Sequence, residues 1–125
     1  MKVKGNNIEG LFWMLFISSL LCFSSCTKVD TPPGLELRVV NTAGDPVSGV
    51  MLGLFDSMEE WSMRENPVQV WKRTDDTGRV LFVDLKEQIY FFFADGENKS
   101  NIAHEIRIIE ALKLNEIRKI TVTID

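Results

Sequence analysis

Few residues of this chain have side chains whose type and spacing could carry chemistry. The Asp-Thr-Gly triplet at 76–78 has the spelling of an aspartic-protease motif, but that chemistry needs two carboxylates that share one proton. One triplet supplies only one of them, and charged residues flank it. Since turns favour Asp and Gly, we predict an exposed hairpin turn. His104 is the only histidine, and because zinc and catalytic sites assemble several polar ligands, we predict a surface position for it.

Paired acidic residues are the other candidates for a site, since carboxylates bind calcium. The acids at 59–60, at 75–76 and at 95 and 97 lack the regular spacing of a calcium-binding loop. The chain also lacks a glycine-rich phosphate loop and a serine nucleophile elbow. The sequence therefore predicts a protein that is not an enzyme and that uses no cofactor or metal.

Cys26 lies at the end of an N-terminal segment with the layout of a secretory signal. Lys2 and Lys4 give this segment a basic start, an apolar run follows from Leu11 to Phe23, and small serines precede the cysteine. The apolar run is about 13 residues long, whereas a membrane-spanning helix needs roughly 20. We therefore favour a removable signal peptide over residues 1–25, with an uncleaved membrane helix as the alternative.

The same segment resembles a bacterial lipoprotein signal with its lipobox. The resemblance implies that the Cys26 thiol receives a diacylglyceryl group and that the chain is cut after Ser25. Two or three acyl chains would then hold the protein in the membrane. Cys22 is the competing cysteine, but the leucines before it fit the peptidase less well than small residues do. Thr27 stands where an aspartate would resemble an inner-membrane retention signal, so we expect the bacterial outer membrane, at its periplasmic or its cell-surface face.

The rest of the chain divides into a spacer and one domain. Residues 26–34 are predicted to be a lipidated tether, which is polar and carries Pro32-Pro33. Residues 35–125 are long enough for a single domain, and cleavage would leave that domain without a thiol. The chain is mildly acidic, with a formal net charge of -4, and it has no basic stripe. Nucleic acid is therefore not an expected partner.

Short apolar runs separated by turn signals fill residues 35–125, which is typical of an antiparallel β-sandwich. The predicted strands cover 35–40, 50–55, 68–73, 79–85, 89–94 and 118–124, with a further strand from 102 through about 109. Ser57 and Glu60 form a capping box, and Asn66-Pro67 ends the turns that follow. We therefore predict a short helix over 58–64, with Trp61 packed over one end of the sandwich.

Several of these segments are similar to the transthyretin-like modules of bacteria, which include carboxypeptidase regulatory-like and Cna B-type domains. They are the strand at 35–40, the turn Gly44–Val50, the run Thr74-Asp75-x-x-Gly78-x-Val80-x-Phe82-x-x-Leu85, and the aromatic strand after it. The resemblance implies an all-β, seven-stranded antiparallel Greek-key sandwich that serves as a spacer, an adhesin stalk or an accessory module. The Cna B-type isopeptide bond needs a lysine in the first strand, and because Arg38 stands there instead, we do not expect that crosslink.

Flat aromatic side chains could bind sugars or a partner protein, and Trp61, Trp71 and Tyr90 are the candidates. Aromatic residues of a small sandwich more often lie in its core, but Trp71 alternates with valines and could equally face out. Ser57 is either a helix cap or, within Asp-Ser-Met, an O-glycosylation site, and we favour the cap. The sequence thus predicts a non-catalytic, lipid-anchored module with a protein partner in the envelope. A glycan-binding lipoprotein is the alternative.

Overall fold

The computed structural model describes residues 29–125, which fold into two β-sheets and one short helix. The predicted signal peptide and Cys26 lie outside these residues. In chain order the elements are β1 (Gly34–Val40), β2 (Met51–Phe55), α1 (Met58–Met63), β3 (Lys72–Arg73), β4 (Arg79–Phe82), β5 (Phe91–Gly96), β6 (Lys99–Ser100) and β7 (Ile117–Thr123). The predicted all-β sandwich, with about seven strands and a short helix after the second, is confirmed.

The strands form a three-stranded sheet in the order β4-β1-β7 and a four-stranded sheet in the order β3-β2-β5-β6. Four of the strand pairs are antiparallel, but β1 and β7 run parallel along their whole length, from Gly34 beside Ile117 to Val40 beside Thr123. The prediction of an entirely antiparallel sandwich is wrong for this pair. The chain reaches β7 from the opposite sheet through a long connection, and such a crossover lets two neighbouring strands run in the same direction.

The main core lies between the two sheets and follows from the alternation of side chains along each strand. Leu35, Leu37 and Val39 of β1 are fully buried there, and Leu52 and Leu54 of β2 face them from the other sheet. Other fully buried members of this core are Phe82, Phe92, Ala94 and Val122. Since burial of one large apolar side chain stabilises a fold by about 1.5–3 kcal/mol, this core is the main source of stability.

The predicted strand from 102 through 109 is wrong. This stretch follows the edge of the four-stranded sheet irregularly, with one isolated bridge between Phe91 and Arg107. The reason is the buried side chain of Asn101, whose Oδ1 accepts a 3.0 Å hydrogen bond from Ala94 N and whose Nδ2 donates to Phe92 O and Glu105 O. The amide takes backbone partners that a regular ladder would otherwise use.

The predicted third strand at 68–73 is shortened to Lys72–Arg73. Val70 is exposed to solvent, so the valine alternation that suggested a longer strand does not reflect burial. Val68 instead packs against the main core and donates its N–H to Leu54 O over 2.8 Å. The segment before β3 is therefore held by single contacts rather than by a ladder.

Thr31, four residues before the predicted start of the domain, is bonded to the domain. Thr31 N donates to Asn115 Oδ1 over 2.8 Å, and Asn115 N donates back to Thr31 O over 2.9 Å. Pro33 is buried, and its carbonyl accepts a 3.0 Å hydrogen bond from Leu85 N. The last part of the predicted 26–34 tether is therefore bonded to the domain, and β1 begins at Gly34.

Candidate functional site

A second, smaller apolar cluster covers the outer face of the four-stranded sheet. Phe55 of β2 and Phe93 of β5 point away from the main core, because they alternate with inward-facing residues. The helix α1 and the segment before β3 place Trp61 and Trp71 against these two rings. We call these four side chains the outer aromatic cluster: Phe55, Trp61, Trp71 and Phe93.

The helix α1 is fixed at both ends by backbone caps. At its start the Ser57 hydroxyl accepts a 3.1 Å hydrogen bond from Glu60 N. At its end Arg64 adopts a left-handed conformation with φ 57°, and its N–H bonds to Trp61 O over 3.3 Å. The predicted short helix and the capping role of Ser57 are confirmed. The attachment of a glycan to Ser57 stays a prediction.

Trp61 lies over the outer face of the sheet, so the predicted position over one end of the sandwich is wrong. Its indole Nε1 donates a 2.8 Å hydrogen bond to Phe92 O, and its ring meets the Phe93 ring edge-on at 6.1 Å between centres. The guanidinium of Arg64 lies 3.8 Å from the centre of the Phe93 ring and 5.1 Å from that of Trp61. Because a cation over aromatic faces is attracted to them, Arg64 closes the cluster on this side.

Trp71 is half-buried and packs edge-on against two rings of the cluster. The ring centres are 5.9 Å apart for Phe55 and 6.5 Å apart for Phe93, with interplanar angles of 76° and 83°. The benzene half of the indole lies over Gly53. Trp71 thus faces away from the main core, but one of its faces is already occupied by the sheet.

Tyr90 lies on the other side of the same sheet, in the main core. It is 2% exposed, and its hydroxyl accepts a 2.9 Å hydrogen bond from Lys86 N. Burial of this hydroxyl raises the pKa of Tyr90. The burial favoured for aromatic residues of a small sandwich therefore holds for Tyr90 and for Trp61, which is 7% exposed, so neither offers an open face to a sugar or a partner. The cause is that the sheet buries aromatic side chains on both faces, so these residues form no shared platform for a sugar.

The Asp-Thr-Gly triplet lies in an exposed turn, as predicted, and the residue before it organises that turn. The Asp75 carboxylate accepts hydrogen bonds from the Thr77 hydroxyl at 2.7 Å, from Thr77 N at 2.9 Å and from Arg79 N at 3.1 Å. These bonds, that of the Thr77 hydroxyl above all, hold the pKa of Asp75 below its usual range. Gly78 has φ +77°, and an added Cβ would lie 2.6 Å from Val39 O. The triplet is thus a tightly packed turn.

Two buried polar residues escaped the sequence analysis. Thr74 is 4% exposed and Asn101 is fully buried. The Thr74 hydroxyl accepts a 2.9 Å bond from Val50 N and donates a 2.8 Å bond to Val47 O. The motif that includes Thr74 does not reveal this role and no spacing marks Asn101, because the partners of both side chains are main-chain atoms that meet only in the folded protein. Both side chains hold backbone in place.

One edge of the three-stranded sheet, that of β4, is covered by side chains. Lys72 Nζ donates to Leu81 O and Gln69 Nε2 donates to Val83 O, each over 2.6 Å. Arg79 O accepts from Asp75 N over 3.1 Å. The outward carbonyl groups along β4 are therefore occupied.

No strand among residues 29–125 pairs with the outer edge of β7, which is the other edge of that sheet. Gly34 N donates to Glu116 O over 2.9 Å, and Ile124 N donates to Val40 O over 3.0 Å. In a parallel pair every second residue of a strand bonds to its neighbour. These two bonds show that, in β7, the N–H and C=O groups of the even-numbered residues face β1. The outward N–H and C=O groups belong to Ile117, Lys119, Thr121 and Thr123, and they have no hydrogen-bond partner within residues 29–125.

Two pockets, which we together call the groove, lie between β7 and the irregular segment 104–113. Its larger part, about 460 Å³, has Ile108 and Ile120 in its lining, and a second part of about 380 Å³ lies beside Thr121 and Thr123. Glu105 lines both parts. Open backbone groups and partly apolar walls therefore occur side by side along this edge.

Among residues 29–125 no group of three or more His, Cys, Asp or Glu side chains is arranged to hold a metal ion. His104 is exposed, and its Nε2 lies 3.2 Å from Asp125 Oδ2. In the same part of the chain no helix combines the length and the apolar character needed to cross a bilayer.

No protein-family model matches the chain, and no curated protein is significantly similar to it. Solved structures do resemble it. The Bacillus anthracis TIE protein superposes with a TM-score of 0.54 at 18% identity, covering 76% of this chain and 16% of that protein. BcpA, the major pilin subunit of Bacillus cereus, gives a TM-score of 0.51 at 14% identity, covering 76% of this chain and 30% of the pilin.

A third structure, the 3-chlorocatechol 1,2-dioxygenase of Rhodococcus opacus 1CP, gives a TM-score of 0.49 at 11% identity over 79% of this chain and 61% of the enzyme. The chain spans less than a third of the length of the first two proteins. At these identities the likeness concerns the fold alone, and the first two structures support the β-sandwich.

Proposed function

We propose that this chain is a non-catalytic β-sandwich module that acyl chains on Cys26 hold at the bacterial outer membrane, where it binds a protein partner. The sandwich fold is shared with the TIE protein and with a pilin subunit. Both likenesses concern the fold, so the structural role is proposed here on the strength of this chain's own contacts. The lipid anchor rests on the sequence around Cys26.

The observation that carries the non-catalytic role is that the polar groups best suited to chemistry are engaged in holding the fold. The Asp75 carboxylate organises a turn, the Tyr90 hydroxyl binds a backbone amide, and the Asn101 side chain binds three backbone groups. Because these side chains lie in different parts of the domain, they do not converge on one cleft. The grooves beside β7 are lined by backbone and by mixed side chains suited to contact rather than to catalysis.

The contacts of Thr31 bear on how the module would be held. From Cys26 to Thr31 the chain has five residue steps, which span at most ~18 Å when fully extended. Thr31 is bonded to Asn115, two residues before β7 begins. A lipid on Cys26 would therefore keep the end of the domain at which β1 and β7 start close to the membrane surface.

Metabolic labelling of the full-length protein tests the anchor. The chain is expressed in a Gram-negative host with an alkyne analogue of palmitate, and label and membrane association are compared for Cys26→Ser and Cys22→Ser. We expect label in the wild-type protein and in Cys22→Ser, and none in Cys26→Ser. Label that survives in Cys26→Ser, or a wild-type protein that is neither labelled nor membrane-bound, contradicts the proposal.

A further inference from the structure

We propose that the outer edge of β7 is the partner-binding site of this module, and that it binds an extended segment of the partner protein as an added strand. The inference rests on the proposed function for the existence of a protein partner, and it names the site and the chemistry of the segment. The site is defined by the outward backbone groups of Ile117, Lys119, Thr121 and Thr123 together with the groove beside them.

The outward backbone groups of β7 fit an extended chain. Four residues of β7 present unpaired N–H and C=O groups within the described chain, and they alternate with the residues that bond to β1. Along a strand such groups recur every second residue, about 6.6–7 Å apart. Only another extended backbone satisfies a row of alternating donors and acceptors at that spacing, which is the basis of strand addition to a sheet edge.

Within the three-stranded sheet the two edges differ, because side chains cover the β4 edge and not the β7 edge. Natural sheets protect their edges because unpaired strands associate with other chains. In this sheet the β4 edge is protected by Lys72 and Gln69, which bind the carbonyls of Leu81 and Val83. The longer β7 edge has seven residues and no such cover within residues 29–125. Side chains thus bind the outward carbonyl groups at one edge of this sheet and not at the other.

The groove sets the chemistry of the segment. Side chains of an added strand alternate between the two faces of the sheet, so every second one would project over the groove toward Ile120 and Ile108. Ile109 is 84% exposed at this side of the domain. Glu105 and Arg107 carry opposite charges in the lining, so the groove favours neither sign. The expected segment has five to seven residues with apolar side chains at alternate positions.

A partner segment fits better than a second copy of this chain. In an antiparallel pair of two β7 edges the ends that carry Thr31 point in opposite directions. A seven-residue strand is about 23 Å long, which exceeds the ~18 Å reach of the tether. Two anchored copies could pair in one membrane only with these strands lying flat on it. An extended segment of another protein has no such restriction.

Nuclear magnetic resonance on the isotope-labelled, full-length lipidated protein in detergent micelles tests the site. The probe is a synthetic capped heptapeptide, Thr-Val-Thr-Val-Lys-Val-Thr, and the control peptide has proline at its central position. With saturating probe we expect hydrogen exchange at the amides of Lys119 and Thr121 to slow at least tenfold, and no change with the control peptide. Slowed exchange along β4 or over the outer aromatic cluster instead would overturn the assignment.

Two proline variants provide a matched comparison. Thr121→Pro removes an outward N–H of β7, and Leu81→Pro removes an outward N–H of β4; edge strands tolerate proline when the lost N–H faces solvent. We expect at least a tenfold weaker probe affinity for Thr121→Pro and a change of less than twofold for Leu81→Pro. Unchanged affinity in a folded Thr121→Pro overturns the site. If that variant does not fold, the exchange map of the wild-type protein decides.

Two further arms separate this inference from its alternatives. Concentration-dependent protection of Lys119 and Thr121 without any peptide would indicate pairing of two copies and would overturn the partner segment. The same titration on Cys26→Ser tests the edge without the lipid. If the probe binds Cys26→Ser and the labelling experiment fails, the lipid anchor is refuted and the β7 site stands. If labelling succeeds and the probe does not bind, the β7 site alone is refuted.

Discussion

The benzene half of the Trp71 indole lies on the backbone of Gly53. A Cβ added to Gly53 would come 2.8 Å from Cη2 of Trp71 and 2.9 Å from its Cζ2 and Cζ3. The indole thus occupies the space that a side chain at position 53 of β2 would fill. This contact joins the segment before β3 to the four-stranded sheet. The outer aromatic cluster depends on a glycine in the middle of a strand, where glycine is otherwise unfavourable.

Replacement of Gly53 by alanine should displace Trp71, because atoms cannot approach as closely as 2.8 Å. We expect Gly53→Ala to lower the free energy of unfolding by about 1–3 kcal/mol, the usual range for overpacking, and to change the tryptophan emission. Urea unfolding followed by fluorescence measures both effects. Gly96→Ala is the matched control, since a Cβ there meets Ile124 at an ordinary 3.4 Å. An equal loss in the two variants would contradict this packing.

The hydrogen bond from Trp61 Nε1 to Phe92 O predicts a difference between the two tryptophans of the cluster. Trp61→Phe removes the donor and leaves a buried carbonyl with one partner fewer. We expect a loss of about 1–3 kcal/mol, measured by chemical denaturation. Trp71→Phe is the comparison, because its indole N–H has no hydrogen-bond partner among residues 29–125. A larger loss in Trp71→Phe than in Trp61→Phe would count against this account.

Periodicity and turn chemistry predicted much of this fold, because they are local properties. The alternation at Leu35, Leu37 and Val39 marks the inner face of β1, and the Ser57 cap marks the start of α1. The Asp75 turn could also be predicted, since Asp, Thr and Gly favour turns by themselves. In each case the residues that decide the structure are neighbours in sequence.

The features that could not be predicted depend on contacts between distant segments. The alternation of apolar residues shows which face of β7 is buried, but this alternation is the same whether β7 pairs with β1 in parallel or antiparallel. Trp61 was placed over one end of the sandwich because the sequence does not give the direction in which α1 crosses the sheet. The strand predicted through Ile109 fails because Asn101 binds backbone groups of β5 and of Glu105. The open edge of β7 likewise becomes visible only once the neighbours of each strand are known.

The buried amide of Asn101 should be among the most sensitive polar positions of the domain. Asn101→Ala leaves Ala94 N without its acceptor in a buried site and removes one donor each from Phe92 O and Glu105 O. We expect a loss of about 2–4 kcal/mol, since one unsatisfied buried group costs about 1–3 kcal/mol. Ser100→Ala next to it should change the free energy of unfolding by less than about 0.5 kcal/mol. Thermal denaturation of both variants measures the difference, and a similar small effect in each would refute the structural role of Asn101.

The hydrogen-bonded carboxylate of Asp75 predicts a specific acid sensitivity. Its pKa is lowered in the folded protein, so its stabilising contribution is complete above the unfolded value of about 3.9. That contribution is lost as the pH falls through the lower folded value. Asp75→Asn should therefore lower stability at neutral pH and flatten the acid limb of a stability profile from pH 6 to 2. Asp76→Asn, which removes none of these bonds, should keep the acid limb of the wild-type protein, and identical profiles for the two variants would contradict the prediction.

Mass spectrometry of the mature N-terminus tests the central claim most directly. Trypsin cleaves after Lys28, so a lipoprotein processed as proposed releases the peptide Cys26-Thr27-Lys28 with a diacylglyceryl group on its sulfur. We predict that this lipopeptide is found in the membrane fraction and that no peptide spanning Ser25 and Cys26 accompanies it. An intact leader, or a mature protein that carries an unmodified Cys26, would contradict the account.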